Sequence, residues 1–517
     1  MYQLTHDDID NVYDDDTPVI RAAANPNIAV LEAQLAFYER LEKVRQGQPV
    51  DTLRYRSVIR ALNPNTTIDC YGTINSPINA AVGANLPDHL RLLLAKGADP
   101  NGINRSTLIG HSVFWVRGRH FQSCCIFSDR PRALLYARNR TGVAHPVCPL
   151  TEAELADRRR GFAQFWTDPD APGGGLRSSR RPQRALTSLE LAAMDGNIEM
   201  LDILRAGGAD ESAWLQPEPN TVTDDVSKAD HEKSLFDIDN GDNVPTSALS
   251  TTSPVHEAIA AGRVQMLWHL LSTCGHSPNY RPRAAPTIAL TPLSYAVACC
   301  DLKDPGVQRC LVDLLSHPQL DANLRTPVYN IHPLHFATAH HNPEFLSWLA
   351  ASIPGEFAAA GQTALGHTLL HVASLPLHAG HIDISLENTA TSIHCLRTLA
   401  SRWAPYCLPN QLLKSYKTPA EVALHPCNAD WMTESQQQAQ QATIELIIEQ
   451  GGCDVRAQDV DGNTALHYLA GTRNIDPATV RIVLGMDGGE EAWHSARNHW
   501  GLTPKDLWPS LFHPFFF

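Results

Sequence analysis

The chain has 517 residues, a formal net charge of −14 at pH 7 and 43% hydrophobic residues. It is too long for a single hydrophobic core, so the length predicts several packed units or an array of repeats. No run approaches the roughly 18 apolar residues of a membrane-spanning helix, and the 12 scattered cysteines match no disulfide framework. The N-terminus is acidic and lacks the pattern of a secretory signal. We therefore expect an intracellular protein, in the cytosol or the nucleus, with no transmembrane segment.

A six-residue pattern recurs along the chain. It opens with a polar residue, usually Thr or Ser and often followed by Pro, and it continues with apolar or small residues. Thr and Ser are good N-cap residues, and Pro is tolerated at the first helical position, so each copy predicts the start of a short helix. The copies begin at Thr17, Ser76, Thr187, Ser253, Thr291, His332, Thr368, Thr418, Thr464 and Thr503.

The cleanest copy lies near the C-terminus. Asp461-Gly462 is a tight-turn signal, and Thr464 is the expected N-cap. Leu466 and Leu469 are spaced to lie on the buried side of the helix that follows, and a second apolar helix is predicted at 480–484. The repeating unit is therefore a turn, a short helix, a loop and a second helix.

This unit resembles the ankyrin repeat, whose Thr-Pro-Leu-His-x-Ala signature opens the first of two helices. His332-Pro-Leu-His-Phe-Ala337 is one close match, and residues 92–101 are close to the family's second-helix ending. The resemblance implies an all-α fold, namely an ankyrin-repeat α-solenoid with short β-turn or hairpin loops and two non-repeat inserts. It also implies that the histidine at the fourth signature position is buried and tied to adjacent turn backbone rather than catalytic. These histidines are His256, His335, His371 and His467.

The spacing of the copies predicts inserts. Neighbouring copies are 36 residues apart at the closest, from His332 to Thr368, and 111 at the widest, from Ser76 to Thr187, whereas the family period is about 33. The segment 102–186 has fourteen Arg, no Lys and six acidic residues, and the acidic segment 216–252 is predicted to be disordered. The predicted boundaries are an acidic tail at 1–16, degenerate repeats at 17–101, the Arg-rich insert at 102–186, a repeat at 187–215, the acidic insert at 216–252, further repeats at 253–508 and an apolar tail at 509–517.

Sequence signals for catalysis or metal binding are weak. The chain lacks a phosphate-binding Gly-x-x-x-x-Gly-Lys loop and a His-Glu-x-x-His zinc motif, and Gly110-His-Ser-Val-Phe114 lacks the closing Gly of a nucleophile elbow. His381, Asp383 and His394 fall in a loop between repeats, where chance proximity explains them better than an iron site. We therefore expect no enzyme activity, no cofactor and no metal. A loose group in the Arg-rich insert lacks Cys-x-x-Cys spacing; its members are His111, His120, Cys124, Cys125, His145 and Cys148.

The resemblance implies that function lies on the surface, because proteins of this family usually bind a partner against turn tips and first helices. We expect a non-catalytic, monomeric scaffold or adaptor that binds other proteins, and we do not expect nucleic acid as a partner. Two alternatives stay open: an enzyme with its site in 102–186, and a binder of nucleic acid or an anionic surface that uses the arginines there. The candidate partner-binding residues, expected to be exposed, are Asp461, Asn463, Tyr468, His499, Trp500, His340 and His341.

Overall fold

The described residues of the chain are helical. The computed structural model describes residues 17–47, 62–70, 73–103, 108, 186–215, 245–250, 252–282, 290–326, 330–363, 366–374, 434–459, 462–470, 475–498, 501 and 503–508. In these stretches the strands are confined to one antiparallel hairpin, β1 (Ile68–Cys70) with β2 (Thr73–Asn75). The predicted helical class is confirmed.

Most helices are shorter than three turns and follow one another in pairs. In chain order they are α1 (Pro18–Ala23), α2 (Ile28–Gly47), α3 (Pro77–Gly83), α4 (Pro87–Ala95), α5 (Ser188–Asp195), α6 (Ile198–Ala206), α7 (Ser212–Leu215), α8 (Pro254–Ala260), α9 (Val264–Trp268), α10 (Pro292–Cys299), α11 (Pro305–Leu315), α12 (Pro333–Ala339), α13 (Pro343–Ala351), α14 (Leu369–Ala373), α15 (Glu434–Glu449), α16 (Ala465–Ala470), α17 (Pro477–Leu484), α18 (Gly489–Ser495) and α19 (Pro504–Leu507). A π-helical turn (His269–Cys274) continues α9, and short 3-10 turns occupy Thr246–Leu249 and Glu356–Ala359.

The signature copies set the helix starts. Nine of the ten copies open a helix directly after their first residue, and the tenth, at Thr418, lies outside the described residues. The caps form as the chemistry predicts. The Ser76 hydroxyl accepts a hydrogen bond from the Asn79 amide at 3.1 Å, and Thr187 forms a capping box with Glu190.

The described residues fall into two compact units. The first unit takes its residues from 1–114, 181–285 and 300–320. Its first helices α1, α3, α5 and α8 pack one on the next, and its second helices α2, α4 and α6 form a parallel row of contacts. Leu93 on α4 and Leu204 on α6 are fully buried, so the core lies between the two rows.

The Arg-rich insert interrupts the sequence of the first unit but not its packing. The Ser188 amide donates a hydrogen bond to the Asn101 carbonyl at 3.1 Å, and the Asn79 side-chain amide donates to the Leu186 carbonyl at 3.0 Å. Helices α3 and α5 therefore pack directly on each other although more than 100 residues separate their starts. Long insertions are tolerated in this way because the entropy cost of closing a loop grows only slowly with its length.

The second unit takes its residues from 115–180, 286–299 and 321–517. Its first helices pack in the order α10, α12, α14, α16 and α19, and α13, α15 and α17 pack beside them. Helix α14 packs on α15, which begins only at Glu434, and it also contacts α16 directly. The second helix paired with α14 is thus supplied from about 60 residues further along the chain.

Several predictions about organisation fall outside the described residues. These include the acidic tail at 1–16, nearly all of the insert at 102–186, most of the insert at 216–252 and the apolar tail at 509–517. The boundaries of the predicted segments stay predictions. Among the helices that are described, none is both long and apolar enough to cross a membrane.

Candidate functional site

The signature histidines join consecutive turns of the second unit. His335 Nε2 donates to the His367 carbonyl at 3.2 Å, and His371 Nε2 donates to the Asn463 carbonyl at 3.1 Å. Their Nδ1 atoms accept hydrogen bonds from the backbone amides of His332 and Thr368 at 3.3 and 3.2 Å. This pattern requires the neutral tautomer with its proton on Nε2.

Burial keeps these rings neutral. It lowers the pKa of His335 to about 3 and that of His371 to about 4, because a charged ring loses its hydration inside the protein. All four signature histidines are at most 2% exposed. The prediction that they are buried and hydrogen-bonded is confirmed, and their contacts are those of structural residues.

Two of the candidate partner-binding residues belong to a buried hydrogen-bonded network at the start of α16, with Asn463 in the turn before the helix and Tyr468 within it. The Asp459 carboxylate accepts a hydrogen bond from the Asn463 amide at 2.8 Å and another from the Tyr468 hydroxyl. His367 Nε2 lies 3.4 Å from the same carboxylate, and the Asn498 side chain donates to the Asn463 side chain at 3.1 Å. The expectation that Asn463 and Tyr468 are exposed is wrong, since they are 0% and 2% exposed. Their polar atoms stabilise the turn instead of facing solvent.

The adjacent histidines at the end of α12 are also engaged within the unit. His340 is half-buried, and its Nε2 donates to the Val297 carbonyl at 2.7 Å. His341 is 3% exposed, and its Nε2 donates to the Ala373 carbonyl at 3.1 Å. The expected exposure is therefore wrong for His341 as well, because its ring bridges to the end of α14.

The other three candidates, Asp461, His499 and Trp500, lie outside the described residues. The resemblance to ankyrin repeats also implies that first helices present the partner surface. Every residue of five first helices is buried. These helices, α8, α10, α12, α14 and α16, offer no exposed side chain to a partner.

Apart from Leu215 on α7, the exposed large apolar residues of the described stretches lie on second helices. In the first unit, Trp268 on α9 is 63% exposed and Val312 on α11 is 49% exposed, and these two helices pack against each other. Both helices also bury an apolar stripe, including Met266 and Leu311, so the exposed residues are additional to those that hold the fold. We call Trp268 and Val312 the second-helix patch.

A comparable feature exists within the second unit. Trp348 on α13 is 39% exposed, and its ring centroid lies 5.8 Å from that of Phe345. Leu346 and Leu349 on the same helix are fully buried. Helical periodicity places position 348 about 130° away from the midpoint of these two leucines on the helix, so this exposed face was readable from the sequence.

Metal-ligating side chains also converge on second helices. Within the stretches that the structure describes, a single group of three potential ligands is found: Asp202 on α6, with His269 and Cys274 on the π-helical turn. Their ligand atoms all lie within 4.8 Å of one another. No spacing motif marks this group in the sequence, because His269 and Cys274 are five residues apart and Asp202 is far away in the chain.

Comparison with known proteins leaves the family unassigned. No family model matches the chain, and no curated protein matches it. Among solved structures that match is the crystal structure of the human ASB11 ankyrin repeat domain, with 18% sequence identity over 56% of this chain and 91% of that domain, and with a TM-score of 0.22. A likeness at that score carries no argument, so the functional proposal rests on the residues and contacts of this chain.

Proposed function

We propose that this protein is a non-catalytic scaffold of ankyrin-type helical repeats that binds another protein through the second-helix patch. The observation that carries the proposal is the exposure of Trp268, an aromatic residue that is 63% accessible on a well-packed helix. Aromatic residues of this kind are enriched among those that dominate the energy of protein interfaces.

The repeat architecture is supported by two features. Signature copies open helices throughout the described part of the chain, and signature histidines bond to the turn that follows in the stack. The resemblance to ankyrin repeats placed the partner against first helices. The complete burial of five of those helices, α8, α10, α12, α14 and α16, favours the second-helix patch in this chain.

The magnitude is sufficient for a binding hot spot. An exposed fraction of 63% leaves about 150 Å² of a Trp in water, and covering that area contributes up to ~4 kcal/mol at about 25 cal/mol per Å². If half of this value is realised, loss of the ring lowers affinity by ~30-fold. The removal of Val312 is expected to add to the effect because its helix lies against α9.

Photo-crosslinking tests the proposal. A photoreactive phenylalanine analogue is placed at position 268 of the full chain, and a matched control carries it at Lys303, which is exposed in the turn before α11. Cross-linked proteins from a cell lysate are identified by mass spectrometry. The affinity of each purified partner is then measured for the wild type, Trp268→Ser, Val312→Ser and Lys303→Ala.

The expected result is a protein that cross-links at 268 and not at 303, and that binds Trp268→Ser at least ~30-fold more weakly than it binds the wild type. Lys303→Ala should bind as the wild type does. If every captured partner binds Trp268→Ser and Val312→Ser with wild-type affinity, the patch is not the binding surface. Unfolding is not a confounding outcome, since both side chains are largely outside the core.

The Arg-rich insert requires a separate variant, because the enzyme and nucleic-acid alternatives both depend on it. The Asn101 carbonyl and the Ser188 amide are 3.1 Å apart and Leu108 is buried, so residues 109–185 are replaced by a Gly-Ser linker that keeps Leu108, α3 and α5. The scaffold proposal expects this variant to keep its protein partners. Loss of all partners, or recovery of nucleic acid only with the intact insert, would assign the function to the insert.

A further inference from the structure

The second helix of the fourth described repeat changes its winding at a specific point. Helix α9 ends at Trp268, and the chain continues as the π-helical turn until Cys274, where Gly275 takes a φ of 77° and ends it. In an α-helix, residues five apart point about 140° away from each other. A π-helix bonds residues five apart, so His269 and Cys274 lie over each other on the same face.

That face meets the neighbouring second helix. Asp202 on α6 lies opposite, with its Oδ1 atom 2.9 Å from His269 Nε2. The Cys274 sulfur completes a group whose ligand atoms are all within 4.8 Å of one another. Asp202 is about half exposed and Cys274 is buried, so the group is open to solvent on one side and closed on the other.

The three ligand types suit zinc. A thiolate, an imidazole and a carboxylate are the groups that zinc binds, and three protein ligands leave the fourth tetrahedral position to water. Bond lengths of about 2.0–2.3 Å place ligand atoms roughly 3.3–3.7 Å apart. His269 Nε2 and Asp202 Oδ1 are 2.9 Å apart and all the ligand atoms lie within 4.8 Å of one another, so small side-chain shifts are enough to bring the group to these distances.

Two of the nearby charges suit a divalent cation and one opposes it. A thiolate and the Asp202 carboxylate neutralise its two charges, whereas the Arg205 guanidinium lies 4.0 Å from Asp202 Oδ1 and 2.8 Å from Glu211, so it must pair with Glu211 alone when the ion binds. In the absence of metal, burial raises the pKa of the Cys274 thiol to about 11. Binding at neutral pH therefore replaces the thiol proton by the metal and releases one proton to solvent.

We propose that Asp202, His269 and Cys274 bind one Zn²⁺ that fastens the second helices of two neighbouring repeats to each other. The acidic insert separates these repeats in the sequence, and their first helices α5 and α8 already pack on each other. The ion would add a link between their second helices. This inference does not depend on the proposed protein partner. It differs from the expectation, drawn from the sequence, that the chain binds no metal.

Zinc titration of the chelator-stripped full chain tests the site. Affinity and stoichiometry are measured by competition with a chromophoric chelator for the wild type, Asp202→Asn and His269→Gln. His494→Gln is the matched control. His494 pairs with Glu490 at 3.6 Å, one helical turn away, and among the described residues it belongs to no group of three potential metal ligands. Other cysteines and histidines of the chain also bind zinc weakly, so the difference between variants is the readout.

We expect the wild type and His494→Gln to bind one equivalent of zinc that Asp202→Asn and His269→Gln either do not bind or bind more than ~10-fold more weakly. Cobalt should give a sulfur-to-metal absorption band in the wild type that is absent from Cys274→Ala. Zinc should also raise the Tm of the wild type and not that of the Asp202→Asn and His269→Gln variants, which are expected to fold because each keeps a hydrogen-bonding side chain of similar size at its position. Equal zinc binding by the wild type and these two variants would overturn the proposal.

Discussion

Mild acid should destabilise the second unit, because His335 takes up a proton in the unfolded chain and stays neutral in the fold. The folded-state pKa of this ring is about 3 because of burial, whereas its ordinary value is 6.5. A group with a lowered folded pKa contributes stability above its unfolded pKa, and this contribution is lost as the pH falls from 6.5 towards 3. At pH 5 the difference from 6.5 is 1.5 pH units, which is worth ~2 kcal/mol. His332 and His371, with pKa values of about 3 and about 4, add losses of similar size.

Urea denaturation of the full chain, followed by far-UV circular dichroism at pH 7 and pH 5, measures this effect. His335→Asn cannot titrate, so the wild type should lose ~2 kcal/mol more than this variant between the two pH values. The control is Thr338→Val, which weakens the same helix by removing a 2.8 Å hydrogen bond to the Leu334 carbonyl and keeps the histidine. Thr338→Val should show the wild-type pH dependence. Equal losses for the wild type and His335→Asn would refute the linkage argument.

Three further substitutions test the packing of the repeats, each by the change in unfolding free energy. Glu190→Gln should make the change in stability from pH 5 to pH 7 more favourable than it is in the wild type. Burial and the nearby charge of Glu257 raise the pKa of Glu190, and a raised folded pKa costs stability as the pH rises; the same change in both proteins would contradict this. Gly306→Ala should cost about 1–3 kcal/mol despite the helix propensity of Ala, since a Cβ there would lie 2.7 Å from the Gly262 carbonyl oxygen. A neutral result would show that the backbone at Gly306 can move away from Gly262. Tyr468→Phe should cost about 1–3 kcal/mol by removing a hydrogen-bond donor from the buried Asp459 carboxylate. It should leave partner affinity unchanged. Weakened partner binding without a loss of stability would instead show that Tyr468 contacts the partner.

Local chemistry made the helix starts and the histidine roles predictable. A capping residue such as Thr368, with Leu and His after it, specifies a helix start from neighbours only three residues away. The fourth-position histidine follows from the same short pattern, because its Nδ1 meets the cap within one turn. These features need no knowledge of distant residues.

Exposure could be predicted only where helical periodicity decides it. Trp348 lies opposite the buried leucines of its own helix, so its exposure follows from the spacing of residues. Asn463 and Tyr468 were misjudged because their burial depends on His367, Asp459 and Asn498. Those partners are brought together by packing between repeats.

The sequence by itself determined that this chain is a series of capped helix pairs, since caps, turns and apolar spacing act over a few residues. Only the tertiary structure decided which helices are neighbours. It placed α14 against α15 and α16, and α3 against α5, across long intervening segments. It also brought Asp202 to the π-helical turn. The physical reason is that the free energy of packing depends on surfaces that meet in space, while the length of the connecting chain adds only a slowly growing entropy term.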